Sequence, residues 1–454
     1  MVNPPSPDRT LPGRINPVIP TGAVDRVVLE LAERAAQRSY LHIGGVMLVK
    51  GTPPSLGELR RSVAARVHRA PVLGYRLSAD QRRWEPDAGF RPEDHVSQRR
   101  LSSDADLLAE ALAVIDEPLP PDRPLWRLVL LHSFTLADAG STSDDENGGG
   151  RGESEATGQY AVCYCAHHAF QDGMAIAATL EALFGSRVLP PPDRTETRAA
   201  VRPWQWPAPS DLALPVRPTA HWTPAGHSLT GRRRLLSFDM DQAALRSIAR
   251  TAGVSRNQVC LAILAATLRE WTPADWVGPP DRRGRKGLRV AMPVDLRAEG
   301  GGGCLGNQLV VLSVDLPCHL TSPRQMLQYV VAQTRPQRLL RHRALYRVLA
   351  PRTPLALTRA MYLRFGDPRY VAMPVTTVRL RQMLINGTPV HRTFAIPPLT
   401  PRQPMMIALL QHQGEIICSV LADTAVPGLD LLDDLWQKAL ARLHEAVCVS
   451  PDGQ

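Results

Sequence analysis

Two histidines in sequence, His167-His168, followed by Ala169-Phe170-Gln171, then Asp172 and Gly173, form the densest cluster of chemistry-bearing residues in the chain. A neutral imidazole can take a proton from an attacking hydroxyl or amine, and an aspartate four residues after the second histidine supplies a charged group to fix its surroundings. The alternative for an isolated His-His is a satisfied pair of core histidines, with Asp172 as the first residue of a helix. The context favours chemistry. The run Gln159 to Ala166 is aromatic and apolar enough for a buried strand, and Met174 to Phe184 carries apolar residues at helical spacing. The histidines therefore sit in a turn that leaves a strand and enters a helix.

The elements that must position this turn are legible in outline. Residues 1–23 are proline-rich and read as a disordered segment, and the first domain spans 24–188. Within it, Asp25 to Gln37, Leu56 to Arg69 and Asp104 to Ile115 read as helices. His42 to Val49 and Trp126 to Phe134 read as strands. An acidic, glycine-rich stretch at 137–158 reads as a flexible surface loop before the strand that leads to the histidines. A proline-rich crossover at 189–231 separates this domain from a second one at 232–454. There, strands are expected at Leu235 to Met240, Leu288 to Leu296 and Gln308 to Leu316. Helices are expected at Gln242 to Thr251, Asn257 to Trp271, Pro323 to Gln333, Leu355 to Phe365 and Leu429 to Val447. A hairpin through Met405 to Ala422 should turn at Gln413-Gly414. Runs of strands flanked by helices indicate an α/β chain of α+β type rather than a repeating barrel.

Bulk properties narrow the function. The 454 residues are enough for two cores. A net charge of +10 is built largely from arginine, in clusters at 232–234, 282–286 and 338–347. An anionic partner fits this balance, although any one cluster read alone is a solvated face. Aromatic content of 5% and the lack of a reading motif argue against nucleic acid. The seven cysteines lack zinc spacing, so no metal is expected, and Cys163 and Cys165 read as small apolar residues on one face of a strand. No apolar run is long enough to span a bilayer, nothing indicates export, and a cytoplasmic protein is expected. The glycines around 301–306 fit a dinucleotide fingerprint but lead into a strand instead of a helix, and Gly226 to Gly231 is misspaced for a nucleophile elbow.

The seven-residue pattern resembles the His-His-x-x-x-Asp-Gly signature of the CoA-dependent acyltransferase superfamily. That superfamily includes the wax ester synthase/diacylglycerol acyltransferases (WS/DGAT) and nonribosomal peptide synthetase condensation domains. Trp84, Phe90, His95-Val96, Glu117-Pro118-Leu119 and Asp122 to Trp126 upstream resemble the WS/DGAT spacing. So do Met292 to Arg297, Leu305-Gly306-Asn307-Gln308 and Leu316-Pro317 downstream. The resemblance implies two chloramphenicol-acetyltransferase-like domains forming a V with a central tunnel. It implies a catalytic set of His168 as general base, His167 bracing the turn and Asp172 pairing with an arginine. Arg297 is the candidate partner, Gly173 permits close helix approach, and Asn307 and Asn257 are candidates to line the tunnel.

No cofactor is implied beyond the CoA or phosphopantetheine thioester of the donor. Partners would be an acyl-CoA or acyl/peptidyl carrier protein and an alcohol or amine acceptor, and a monomer suffices. Two departures from the WS/DGAT pattern bear on the acceptor pocket: Asn257-Gln258 where Asn-Asp is usual, and Thr376-Thr377-Val378-Arg379 where an Asn-Val-Pro-Gly-like segment is usual. The expected activity is ester or amide formation in specialised metabolism. Wax ester or triacylglycerol synthesis from long-chain acyl-CoA is one alternative, and a non-catalytic carrier-binding domain is another.

Overall fold

The computed structural model describes residues 17–35, 37–134, 158–192, 228–271, 287–297 and 305–449. Residues 137–157 of the expected loop at 137–158, most of the crossover, the arginines at 282–286 and the glycines at 301–303 therefore lie outside the described residues. Before the crossover the chain forms β1 (Ile19–Pro20), α1 (Ala23–Arg34), β2 (His42–Lys50), α2 (Leu56–Arg66), β3 (Tyr75–Leu77), β4 (Arg83–Pro86), β5 (Val96–Arg100), α3 (Leu107–Asp116), β6 (Trp126–His132), β7 (Gln159–His167) and α4 (Gly173–Phe184). After it come β8 (Arg233–Asp239), α5 (Gln242–Ala252), α6 (Arg256–Trp271), β9 (Leu288–Asp295), β10 (Leu309–Leu316), α7 (Pro323–Gln333), α8 (Pro336–Leu349) and α9 (Leu355–Phe365). The last elements are β11 (Met373–Leu380), β12 (Leu384–Ile385), β13 (Thr388–Ile396), β14 (Met405–His412), β15 (Glu415–Asp423) and α10 (Leu432–His444).

Two six-stranded mixed sheets carry the architecture, one ordered β12-β13-β2-β7-β6-β5 and the other β10-β9-β11-β14-β15-β8. Strand alternation in the first sheet sends Met47, Val162, Tyr164 and Leu130 to the core that includes α1, α2 and α4. It sends Val46, Leu48, Cys163, Cys165 and Val129 to the opposite face, where α3 packs with Leu235, Ile417 and Leu421 of the second sheet. Cys163 and Cys165 thus point to one face, and burial pushes both thiols up, Cys165 to about 12.

Three sequence expectations need amendment. Residues 19–20 belong to a small three-stranded sheet with β4 and β3, because Ile19 is buried opposite Trp84; the N-terminal segment is ordered before 23. The second domain is not confined to its own sheet. Strands β12 and β13 cross back and pair β13 with β2, register Phe394 to Val46, placing Ile385, Val390, Phe394 and Ile396 in the cores around the first sheet. Helix α8 and strand β11 were not expected, since the first is half arginine and polar and the second carries Thr376, Thr377 and Arg379 among its apolar residues. Where turn chemistry was specific, the reading holds: Gln413 and Gly414 both have positive φ, joining β14 to β15. Among the described residues, no helix is long and apolar enough to cross a membrane.

Gly44 in β2 marks a close approach that brings α3 onto the sheet. A Cβ there would lie 2.1 Å from the Tyr164 carbonyl oxygen and 2.7 Å from Cδ1 of Ile115. Gly44→Ala should therefore cost about 1–3 kcal/mol, seen as a lower denaturant midpoint at unchanged slope. Gly57→Ala, inside α2 with the flexible end of Arg61 as nearest neighbour at 3.5 Å, should keep the midpoint or raise it.

Candidate active site

Strand β7 ends at His167, and the next five residues make the turn that the sequence singled out. The amides of Phe170 and Gln171 donate to the His167 carbonyl at 2.8 and 3.2 Å, and the His168 amide donates to the Leu41 carbonyl at 2.8 Å. Asp172 then caps α4, its Oδ1 accepting from the Ala175 amide at 3.0 Å. The helix that follows is buried from Ala175 to Phe184, so the turn is seated on a rigid element.

The two histidines part company. His167 is buried with its Nδ1 accepting from the Ala169 amide at 3.1 Å and its ring edge-on to His42 at 5.6 Å. Burial pushes its pKa down to about 3, with His42 and His168 adding to the shift, so it braces the turn as a neutral ring. His168 lines a cavity of about 320 Å³. Its Nδ1 is buried and the ring lies beside the carbonyls of His168 and Gln171, which leaves Nε2 as the ring nitrogen on the cavity side. Burial lowers the His168 pKa below the ordinary 6.5, while Asp172, the carbonyls of His168 and Gln171, and Asp25 pull it back up. At neutral pH the ring is uncharged and able to accept a proton.

Asp172 has a different task. Its Oδ2 accepts from Arg297 Nη1 at 2.9 Å and from the Gln308 amide at 3.0 Å, and both side chains of the pair are buried. Burial alone would raise the carboxyl, but Arg297 and the amides of Gln308 and Ala175 outweigh it and hold the group below its ordinary value. Arg297 also reaches Asp295 Oδ1 at 3.0 Å and the Gly306 carbonyl at 3.3 Å. The carbonyls of Leu296 and Arg297 accept in turn from Arg347 and Arg343 of α8. Part of the arginine cluster at 338–347 is therefore a clamp on this strand end, not a free solvated face.

Both sheets and two helices wall the cavity. Ile43 and Gly45 come from β2, Ala395 and Ile396 from β13, Pro293 from β9, Leu309 and Val311 from β10, Thr376 and Val378 from β11, Ala408 and Leu410 from β14. Ile176, Ala177 and Leu180 of α4 and Tyr362 and Phe365 of α9 close it. Gly173, where a Cβ would meet Val378 at 3.4 Å, lets α4 approach β11. Polar atoms are few. Gln403 Nε2 donates to the carbonyls of Phe365 and Val371 at 3.2 and 3.3 Å, which orients the amide. Its Oε1 and the Thr400 hydroxyl are buried without a partner among the described residues.

Two expected tunnel residues are elsewhere. Asn257 stands in the first turn of α6 and does not line the cavity, since that helix packs on the far core with α5, α7 and α10. Its neighbour Gln258 caps the helix start through Ser255 and reaches Thr334 at 3.0 Å, so the departure at 257–258 does not touch the pocket. Asn307 is also absent from the cavity wall. It donates instead to the His168 carbonyl at 2.8 Å and to Asp25. By contrast, the departure at Thr376-Thr377-Val378 lies in the wall itself. Sequence reading missed Asp25, a buried acid at the start of an amphipathic helix. The cue available was an aspartate placed among apolar residues, where an exposed cap would be ordinary.

Among the described residues, no group of three or more His, Cys, Asp or Glu side chains is placed to hold a metal ion. If the Asp172–Arg297 pair joins the halves as its burial implies, Asp172→Ala and Arg297→Met should each lower stability by about 3–5 kcal/mol, and the double variant by clearly less than the sum. The carboxylate's contribution is present above its unfolded value near 3.8 and is lost as pH falls toward the lower folded value, so acid unfolding of the wild type should begin below that point. Denaturant melts from pH 3 to 7 check both.

The chain is similar in sequence and in fold to several known proteins. Residues 305–444 match the family model of the WS/DGAT C-terminal domain. A protein of Mycobacterium tuberculosis, provisionally named a diacylglycerol O-acyltransferase, is 23% identical over 419 residues, which is 84% of this chain and 81% of that protein. The wax ester synthase/diacylglycerol acyltransferase from Marinobacter aquaeolei VT8 superposes with a TM-score of 0.59 at 17% identity, over 93% of this chain and 98% of that one. The first condensation domain of the CDA synthetase gives 0.59 at 17%, over 96% and 97%. The starter condensation domain of rhizomide synthetase, solved in complex with C8-CoA, gives 0.60 at 14%, over 95% of each.

Proposed function

We propose that this chain is an acyltransferase of the WS/DGAT and condensation-domain type that transfers an acyl group from a CoA thioester to a hydroxyl acceptor, with His168 as the general base. The observation that carries this reading is the opening of His168 Nε2 into an apolar cavity shared by both sheets, on a turn clamped by the Asp172–Arg297 pair. In the proposed step, Nε2 takes the proton of the acceptor hydroxyl as its oxygen attacks the thioester carbonyl. Collapse of the tetrahedral intermediate breaks the carbon–sulfur bond, and the imidazolium returns the proton to the departing thiolate. Atoms balance without an acyl-enzyme, and holding donor and acceptor together in the cavity supplies the orientation.

The wall suits the donor. Leu180, Leu309, Val311 and Leu410 offer an apolar bed to an acyl chain. An amine on a carrier protein is the second reading, favoured by the fold shared with condensation domains and by the altered β11 segment in the wall.

Thiol release from acyl-CoAs and acyl-carrier proteins, mixed with simple alcohols, polyols and amines, tests the reading. Release should require both acceptor and His168, with His168→Ala losing roughly 10²–10⁴-fold in kcat. Because the neutral ring is the active form and burial depresses its pKa, the acid limb of the rate profile should lie below that of an ordinary histidine. Release unchanged in His168→Ala would refute the base assignment. Acyl-carrier binding without release from any pair would favour a non-catalytic domain.

A further inference from the structure

A carboxylate far from the signature motif holds the catalytic turn from behind. Asp25, fully buried in the first turn of α1, accepts at Oδ2 from the Gly22 amide at 2.8 Å. Its Oδ1 accepts from the Asn307 amide at 2.7 Å and from Asn307 Nδ2 at 3.0 Å, across 282 positions of sequence. The same Nδ2 donates to the His168 carbonyl at 2.8 Å. Helix capping does not require this burial. Helices α3 and α5 are capped by Asp106 and Asp241, both exposed, and α2 by exposed Ser55. An ionised group is buried only at a cost that its contacts must offset, and here the contacts lead to the His168 turn.

We propose that Asp25 is a positioning residue for His168, fixing the turn through Asn307 and placing a negative charge on the protein side of the imidazole. This rests on His168 being the base. Geometry and charge act together. The 306–308 segment is held against the turn by the Gly306 amide on the Phe170 carbonyl at 2.7 Å, Asn307 on the His168 carbonyl and the Gln308 amide on Asp172, with Arg297 on the Gly306 carbonyl. Asp25 orients Asn307 from behind. The charged and titratable groups that bear on His168 are His167 beside it, with His42 beyond; Asp172, already compensated by Arg297; and Asp25. Removing the Asp25 charge should make the imidazolium harder to form, and cutting the side chain should loosen the turn.

The test has a readout that needs no substrate. The ring of His168, identified by the signal lost in His168→Ala, is titrated by NMR in labelled full-length protein. Asp25→Asn should move that titration down by about half a pH unit or more. In turnover, Asp25→Ala should lower kcat about tenfold or more with little change in KM for the acyl donor, whereas a merely structural residue would leave the kcat of the folded fraction and the His168 titration in place. Should Asp25→Ala fail to fold, Asp25→Asn and Asn307→Ser carry the same comparison. Folded variants with wild-type kcat and an unmoved His168 titration would overturn the proposal. A shifted titration in a protein that turns over no acyl donor would sustain the positioning role and sink only the function on which its catalytic meaning rests.

Discussion

One buried ion pair sets the terms for the rest of the site. Asp172 and Arg297 meet at 2.9 Å, 125 positions apart in sequence, and both are almost wholly removed from solvent. Such a pair is tolerable only when every remaining polar atom is answered, because desolvation otherwise exceeds the Coulombic gain. The answers are visible. The Ala175 and Gln308 amides complete Asp172, while Asp295 and the Gly306 carbonyl engage Arg297. The consequence is geometric: the capped start of α4 and the segment after β9 cannot move apart, and the wall between them is the wall in which His168 sits.

That constraint also explains the division of labour among similar residues. His167 and His168 are adjacent, yet one is sealed against His42 as a neutral brace and the other opens to the cavity. Asp172 holds an arginine, and Asp25 holds amides that lead back to the same turn. Of the two adjacent histidines, only His168 lines the cavity. The cysteines on β7 take no part, since burial keeps their thiols protonated.

Legibility from sequence followed locality. The turn at 167–173, its strand and its helix were readable because hydrophobic period and capping chemistry are written within a few residues, and the Arg297 partner was readable only through family resemblance. Strand β13 was not, because its place beside β2 depends on a pairing partner some 340 positions away, and its Pro389, His391 and Arg392 mask the alternation of Val390, Phe394 and Ile396. Asn257 was misplaced for the complementary reason. A motif position says which helix carries a residue but not which side of the sheet that helix covers. Asn307 was found as important and given the wrong task, and Asp25 was missed, because both act through hydrogen bonds between distant segments.

In the proposed reaction the acyl group passes directly from donor to acceptor, with His168 as base and no covalent enzyme intermediate. Single-turnover quench-flow with label in the acyl group of the donor tests it most directly, run with and without acceptor and followed by denaturation. Label should appear only in donor and ester product, with no protein-bound label in the wild type and thiol release that waits for acceptor. Stoichiometric label on the denatured protein, formed before acceptor is added and discharged when it arrives, would contradict it.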